Sequence, residues 1–151
     1  MNIDQKDRDI LEKIQKHPSS TTHELSKLCN LPSSSIHDRL KKLKEKSILL
    51  ESEPKINLQK CGISIQAFIK LKINSANWSE SLSQQLKSNI WVQEIHEIIG
   101  EDSYLLKIIA KDTDHLSTIL KTEIAILENI KETQTTLILK TVKDTKYVPM
   151  I

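Results

Sequence analysis

The 151-residue chain is long enough for one ordinary domain or two small ones, which excludes a large multidomain enzyme. Its 22 basic and 20 acidic residues give a net charge of +2, so a DNA-binding face would have to be local. Aromatic residues make up only 3%, which argues against a surface that stacks the bases of single-stranded nucleic acid.

The two cysteines, Cys29 and Cys61, lie far apart and outside any metal-binding spacing. We therefore predict no metal site and no cofactor, and we interpret both as small buried residues. No apolar run approaches the roughly 18 residues of a membrane-spanning helix, and the first ten residues are polar and acidic rather than signal-like. We expect a cytoplasmic protein with no membrane partner.

The apolar residues follow helical spacing up to about residue 50. A first helix is predicted after Asp4 and ends before Pro18, because proline disfavours helix in the residue that precedes it. A short second helix begins at the capping-box pair Thr21 and Glu24. It ends at Asn30, which tolerates the left-handed conformation of a tight turn.

A third helix is predicted from the serine trio at 33–35 to about Lys46. Its buried face carries Ile36, Leu40 and Leu43 at positions i, i+4 and i+7. Serine hydroxyls accept hydrogen bonds from free first-turn amides, so we predict that these serines cap the helix. The opposite face carries five basic residues against two acidic ones.

The pattern changes near residue 60, which divides the chain into predicted domains 1–60 and 61–151. The first holds 12 basic and 9 acidic residues and the second 10 and 11, so the positive charge lies in the first. Segments 48–50 and 55–57 are predicted as two strands of a hairpin, the wing of a winged helix-turn-helix.

Alternating apolar residues in the second half predict strands, with two helical segments between them. The predicted elements are a strand over 63–73, a helix carrying Trp78, Leu82 and Leu86, strands over 92–99 and 104–110, a helix over 116–127 and a strand over 133–142. This β-α-β-β-α-β order is that of the ferredoxin-like fold. We therefore predict an α+β protein, with Trp78 and Trp91 as core or interface anchors.

A helix pair whose second helix has a polar, basic face fits insertion into the major groove of double-stranded DNA. The predicted DNA-binding residues are Ser33, Ser34, Ser35, His37, Asp38, Arg39, Lys41 and Lys42. Arg39 is the candidate for two hydrogen bonds to one guanine, and a structural ion pair is the alternative for it. Helix capping and an ordinary surface histidine are the alternatives for the serines and for His37.

Three segments of the chain carry a family resemblance. The segments 4–15 and 24–49 resemble the helix-turn-helix region of the Lrp/AsnC, or feast/famine, regulators, and 98–112 resembles their effector-sensing region. The resemblance implies a homodimer that assembles further to a tetramer or octamer, with an amino-acid effector near the Gly100 turn. Serine stands at position 47 in place of the family's usual glycine, so the left-handed turn after the third helix is either adopted by a serine or rearranged. Serine also replaces the usual aspartate at position 103.

The predicted effector-binding residues are Gly100, Glu101, Asp102, Ser103, Tyr104 and Thr135. A glycine turn exposes amides that bind a carboxylate, and Glu101 or Asp102 is suited to an ammonium group. The alternative is an ordinary hairpin glycine with solvated acidic neighbours.

These observations predict a sequence-specific DNA-binding transcriptional regulator modulated by a small-molecule effector such as an amino acid. An architectural, weakly specific DNA-binding protein is the alternative that the same fold supports. A more remote alternative is an enzyme like the siroheme decarboxylases, which share the two-domain architecture, but segment 100–108 lacks their arginine, histidine and aromatic set. We see no nucleophile elbow and no phosphate-binding loop, so we predict that the chain is not an enzyme.

Overall fold

The computed structural model describes residues 3–51, 53–73, 80–99 and 103–151. Four residues singled out by the sequence lie outside these ranges: Trp78, Gly100, Glu101 and Asp102. Among the described residues, no helix has the length and apolar character needed to cross a membrane.

The chain folds into two compact units. Met1–Pro54 and Lys143–Ile151 form the first, and Lys55–Val142 forms the second. The division predicted at residue 60 placed the last nine residues with the second domain, whereas the structure places them in the first unit. No sequence pattern announces this return of the chain, because it depends on a hydrogen-bonded pair 133 residues apart, Gln15 and Val148.

The first unit starts with the two capped helices that the sequence predicts. Helix α1 (Gln5–Lys16) begins after its capping residue Asp4, and α2 (Thr22–Cys29) begins after Thr21. Both have a reciprocal capping box, which satisfies amides that a helix start otherwise leaves unpaired. Asn30 ends α2 with φ 51°, which confirms the left-handed turn.

Helix α3 (Ser33–Glu45) starts differently from the prediction. Its capping position is Pro32, and no side chain caps it. The predicted serine cap is wrong because Pro32, which has no side-chain acceptor, occupies the capping position, so that all three serines lie inside the first turn. Their hydroxyls are therefore not at the position that accepts the first-turn amides.

The end of α3 adopts the first of the two alternatives for Ser47, a left-handed serine. Ser47 has φ 54°, and its amide donates to the carbonyl of Lys44 at 2.8 Å. The Ile48 amide donates to the Leu43 carbonyl at 2.9 Å, so the two bonds form a Schellman motif. A serine adopts here the conformation that glycine adopts without steric cost.

The predicted wing hairpin is wrong: the described residues of 48–50 and 55–57 form no strand. The amides of Ile48 and Leu49 both donate to the Leu43 carbonyl, so they close the helix instead of pairing with a second strand. The Leu-Leu-Glu sequence that follows Ile48 also has low strand propensity, so nothing local opposes this outcome.

Each helix of the first unit contributes one fully buried side chain to its core. These residues are Ile10, Leu25 and Ile36, with exposures of 0, 2 and 0%. Cys29 packs against them half-buried, whereas Cys61 is exposed on a short 3₁₀ turn, so the prediction that both cysteines are buried is wrong.

The second unit is a four-stranded antiparallel sheet with helices packed on one face. Its elements are β1 (Ile65–Ile73), α4 (Glu80–Ser88), β2 (Val92–Glu97), β3 (Tyr104–Ala110), α5 (Thr113–Ile119) and β4 (Ile130–Leu137). The strand order is β2-β3-β1-β4, which confirms the predicted ferredoxin-like arrangement.

Every second residue of β1 contributes to the core of this unit. Ala67, Ile69 and Leu71 are fully buried against residues of α4 and α5 such as Leu86 and Ile119. A π-helical turn, Leu120–Ile124, continues α5, which accounts for the apolar spacing of the predicted helix 116–127. Strand β4 ends at Leu137, five residues earlier than predicted.

Candidate nucleic-acid interface

Helix α3 turns one continuous polar face to solvent. Its residues Ile36 and Leu43 are buried in the first unit, and the half-buried Leu40 packs on the same side of the helix. The exposed residues on this face are Ser33, Ser34, His37, Asp38, Lys41, Lys42, Lys44 and Glu45. The structure thus brings together six of the eight predicted DNA-binding residues, while Ser35 and Arg39 are half-buried at its edge.

Lys41 has only a weak ion pair within the protein. The Lys41 ammonium lies 4.0 Å from the Glu45 carboxylate, and the two side chains are 68 and 60% exposed. An exposed pair at this distance contributes little, since water screens it and the side chains lose entropy. Lys41 is therefore available to a phosphate group.

The start of α3 offers a second kind of donor. Pro32 carries no side-chain acceptor, and none of the serines caps the first turn. The amides at the start of a helix carry partial positive charge and bind phosphate when they face solvent. Backbone donors and serine hydroxyls thus lie at the end of the helix that approaches DNA in helix-turn-helix proteins.

Arg39 adopts the structural alternative considered for it. Its Nη1 atom lies 2.7 Å from Asp4 Oδ2 and 2.6 Å from Asp7 Oδ1. The hydrogen bond to Asp4, followed by that to Asp7, raises the pKa of the Arg39 guanidinium above its usual value. The two carboxylates together account for both hydrogens of Nη1, so this nitrogen has no donor left for a guanine.

The Asp4 carboxyl has a lowered pKa, first because the Asp7 amide donates to it and then because Arg39 does. A group whose folded-state pKa lies below its unfolded value stabilises the fold above the unfolded value, about pH 4 for aspartate, and loses that contribution as the pH falls. Asp4 therefore contributes at neutral pH.

The three described residues of the predicted effector region, Ser103, Tyr104 and Thr135, have different surroundings. The Ser103 amide donates to the Leu71 carbonyl at 2.8 Å, and the Ser103 carbonyl accepts from Ile98 at 3.0 Å, so its backbone closes the hairpin. Tyr104 is 5% exposed and faces the core, where burial raises the pKa of its hydroxyl. Thr135 is exposed on β4.

Tyr104 and Thr135 lie on β3 and β4, the two strands that flank β1 within the sheet. Tyr104 pairs with Leu71 and Thr135 with Ile69, so one whole strand separates them. Neighbouring strands are about 4.8 Å apart, which puts the two backbones roughly 10 Å from each other.

Two groups of contacts in the described structure, one at Gln15 and one at Glu94, were not predicted from the sequence. Gln15 donates to the Val148 carbonyl at 3.0 Å and accepts from the Val148 amide at 2.6 Å, which fastens the last residues to α1. On the sheet face away from the helices, Glu94 contacts His96 at 3.1 Å and Lys107 at 3.0 Å. Strand alternation could have suggested the Glu94 and His96 pair, but not the Gln15 contact.

Two family models match the chain. Residues 66–148 match the Lrp/AsnC ligand binding domain, and residues 3–49 match a winged helix-turn-helix DNA-binding domain. The second match covers α1 to α3, and the first covers β1 to β4 and continues into the last residues, which the structure places in the first unit.

Curated relatives cover nearly the whole chain. HTH-type transcriptional regulator FL11 of Pyrococcus abyssi is 30% identical over 150 residues, which cover 99% of this chain and 98% of that one. Regulatory protein AsnC of Escherichia coli is 27% identical over 138 residues and 91% of both chains.

Solved structures show the same fold. E. coli AsnC superposes with a TM-score of 0.89 at 25% identity and covers 97% of this chain and 99% of its own. A transcriptional regulator from Neisseria meningitidis, solved as an L-Met complex, superposes with a TM-score of 0.91 at 24% identity and covers 98 and 97%. The chain belongs to the Lrp/AsnC family of helix-turn-helix, DNA-binding transcriptional regulators.

Proposed function

We propose that this regulator binds double-stranded DNA through the exposed face of α3, and that an amino-acid effector bound by the second unit modulates that binding. The observation that carries the first part is the single exposed face on which Ser34, His37 and Lys41 lie together. Burial of Ile36 and Leu43 fixes which side of the helix faces outward.

The residues of this face divide by their distance from the start of α3. Ser33, Ser34, His37 and Asp38 lie in its first two turns, where helix-turn-helix proteins contact base edges. A hydroxyl pairs with several bases, and the Asp38 carboxylate suits the amino group of cytosine. Further along, the lysines meet phosphates, which provide affinity rather than sequence discrimination.

The regulator acts as a homodimer in this proposal and assembles further to a tetramer or octamer. The sheet face away from the helices supports a contact between copies, because the Phe68 ring lies there with 36% of its surface exposed. Phe68 is paired with Lys107 on one side and Thr136 on the other, so the aromatic ring is at the middle of that face. A twofold dimer would present two α3 helices to a pseudo-palindromic operator.

The effector part of the proposal is supported by the family description and by one relative. The model that matches residues 66–148 is that of a ligand binding domain, and the N. meningitidis regulator was solved with L-Met. In this chain, Ser103 directly precedes β3, Tyr104 is the first residue of β3, and Thr135 supplies an exposed hydroxyl on β4.

A thermal-shift series with each of the twenty amino acids tests the effector. A ligand at 100 times its dissociation constant stabilises a protein by about 2.7 kcal/mol, so we expect at least one amino acid to raise the melting temperature. Thr135→Ala should reduce that shift, and Thr118→Ala, at an exposed threonine of α5, should not. The proposal is contradicted if no amino acid stabilises the protein, or if both variants respond as the wild type does.

A further inference from the structure

The carboxylates that hold Arg39 are themselves fixed by the backbone of α1. Asp4 Oδ1 accepts the Asp7 amide at 2.8 Å, and Asp7 Oδ2 accepts the Asp4 amide at 3.3 Å. The remaining oxygen of each carboxylate contacts Arg39 Nη1. The reciprocal capping box therefore aims two carboxylate oxygens at one nitrogen of α3.

This ion pair differs from the exposed ones of the same unit. The Arg39 and Asp7 side chains are 27 and 19% exposed, and Asp4 is 53% exposed. Lys41 and Glu45 are both more than half exposed and lie 4.0 Å apart, against 2.6 and 2.7 Å for the two Arg39 contacts. Partners that the helix cap already orients lose less conformational entropy when they bind a cation. The contacts of Arg39 thus hold α3 more firmly than a surface ion pair would.

The hydrogen bonds of Arg39 are directional, whereas the apolar packing between α1 and α3 is not. Ile10 and Ile36 join α1 to α3 through apolar burial, which resists separation of the helices but opposes rotation of α3 only weakly. Arg39 lies about one turn beyond Ile36 and is tied to the start of α1, 35 residues earlier. A second, directional point of attachment fixes how far α3 is rotated about its own axis.

We propose that Asp4, Asp7 and Arg39 are positioning residues that set the rotation of α3 and so determine DNA affinity without touching DNA. This inference rests on the proposed role of α3. In this proposal, the exposed face that carries His37 and Lys41 turns toward the DNA major groove only when Asp4 and Asp7 bind Arg39 on the other side of α3.

The proposal reverses the effect expected from charge alone. Neutralising two acidic residues near a DNA-binding face should raise affinity through electrostatics, and it would free Arg39 to reach a phosphate. If the acidic residues position α3, the same change lowers affinity. The sign of the effect therefore separates the two explanations.

The test compares the wild type with Asp4→Asn/Asp7→Asn, Arg39→Ala and the triple variant, all as full-length protein. Asparagine caps helices as well as aspartate does, so the double substitution removes the ion pair but keeps the start of α1. Fluorescence anisotropy measures affinity for an operator selected by the wild type, at several salt concentrations.

We expect the double variant and Arg39→Ala each to lose roughly tenfold in affinity, with the slope of log K against log salt unchanged. The triple variant should bind no worse than Arg39→Ala. The proposal is overturned if the double variant binds as well as the wild type or better, or if Arg39→Ala lowers the slope by about one unit, the signature of a lost phosphate contact.

Glu12→Gln is the control for charge, because it neutralises an acidic residue of α1 whose partner is Lys16. Its affinity should not fall. Circular dichroism at the assay temperature confirms that each variant is folded, and amide hydrogen exchange of α3 gives a readout without DNA. If the wild type selects no operator, the proposed interface fails, and faster α3 exchange in the double variant still supports the helix positioning, whereas unchanged exchange refutes it.

Discussion

Replacing Lys41 and Lys42 by glutamine should lower the affinity for operator DNA by roughly sixtyfold in 0.1 M salt. Each phosphate contact contributes about 0.9 to the slope of log K against log salt, so two lost contacts reduce the slope by about 1.8. Both lysines are exposed on the face opposite Ile36. Anisotropy titrations between about 0.1 and 0.4 M salt measure the affinity and the slope together.

The matched control for these lysines lies in the second unit. Lys131→Gln/Lys140→Gln makes the same change in net charge at two exposed positions far from α3 in the chain. We expect it to leave the slope unchanged. Equal losses in the two double variants would mean that total charge, rather than the face of α3, determines binding.

Replacing Ile36 by alanine removes one of the three fully buried side chains of the first unit. Such a substitution costs about 2 to 5 kcal/mol, which is comparable to the whole stability of a unit of this size. We expect the thermal transition of this unit to fall by about 15 °C and DNA binding to be lost at the temperatures where the unit has unfolded. Differential scanning calorimetry measures the transition.

A control substitution and a control signal test whether the loss of stability is confined to the core of the first unit. Leu28 is 42% exposed, so Leu28→Ala should cost less than about 1 kcal/mol. Both tryptophans lie in the second unit, so tryptophan fluorescence of Ile36→Ala should match that of the wild type. An Ile36→Ala protein that melts like the wild type would contradict the assigned core.

The sequence predicts best the features that depend on neighbouring residues. Thr21 and Glu24 are three positions apart, so their capping box forms whenever that turn is helical. Alternation along β1 identifies its buried face, because successive side chains of a strand point to opposite sides. The left-handed Ser47 is one of the two alternatives that the family resemblance leaves for this helix end.

The errors arise where distant parts of the chain decide the outcome. The sequence leaves Arg39 with two roles, and only its contact with Asp4 and Asp7 distinguishes them. The return of the last nine residues depends on Gln15, a residue with no distinctive signal. The wing fails because the Leu43 carbonyl competes for the amides that a hairpin would need.

Two alternatives to sequence-specific regulation differ in what supports them. The relatives compared with this chain are named as transcriptional regulators, which gives no support to a decarboxylase. An architectural protein would use the same lysines and helix, so it is separated from a regulator only by its response to sequence. Weakly specific binding depends mainly on phosphate contacts, whereas a regulator also reads bases.

The most direct test of the account is the ratio of two affinities of the full-length protein at about 0.15 M salt. One duplex carries the site enriched from a random pool, and the other has the same composition in scrambled order. We predict a pseudo-palindromic site, bound at least about a thousandfold more tightly than the scrambled duplex. A ratio near one, or a pool that yields no enriched site, would contradict sequence-specific regulation through α3.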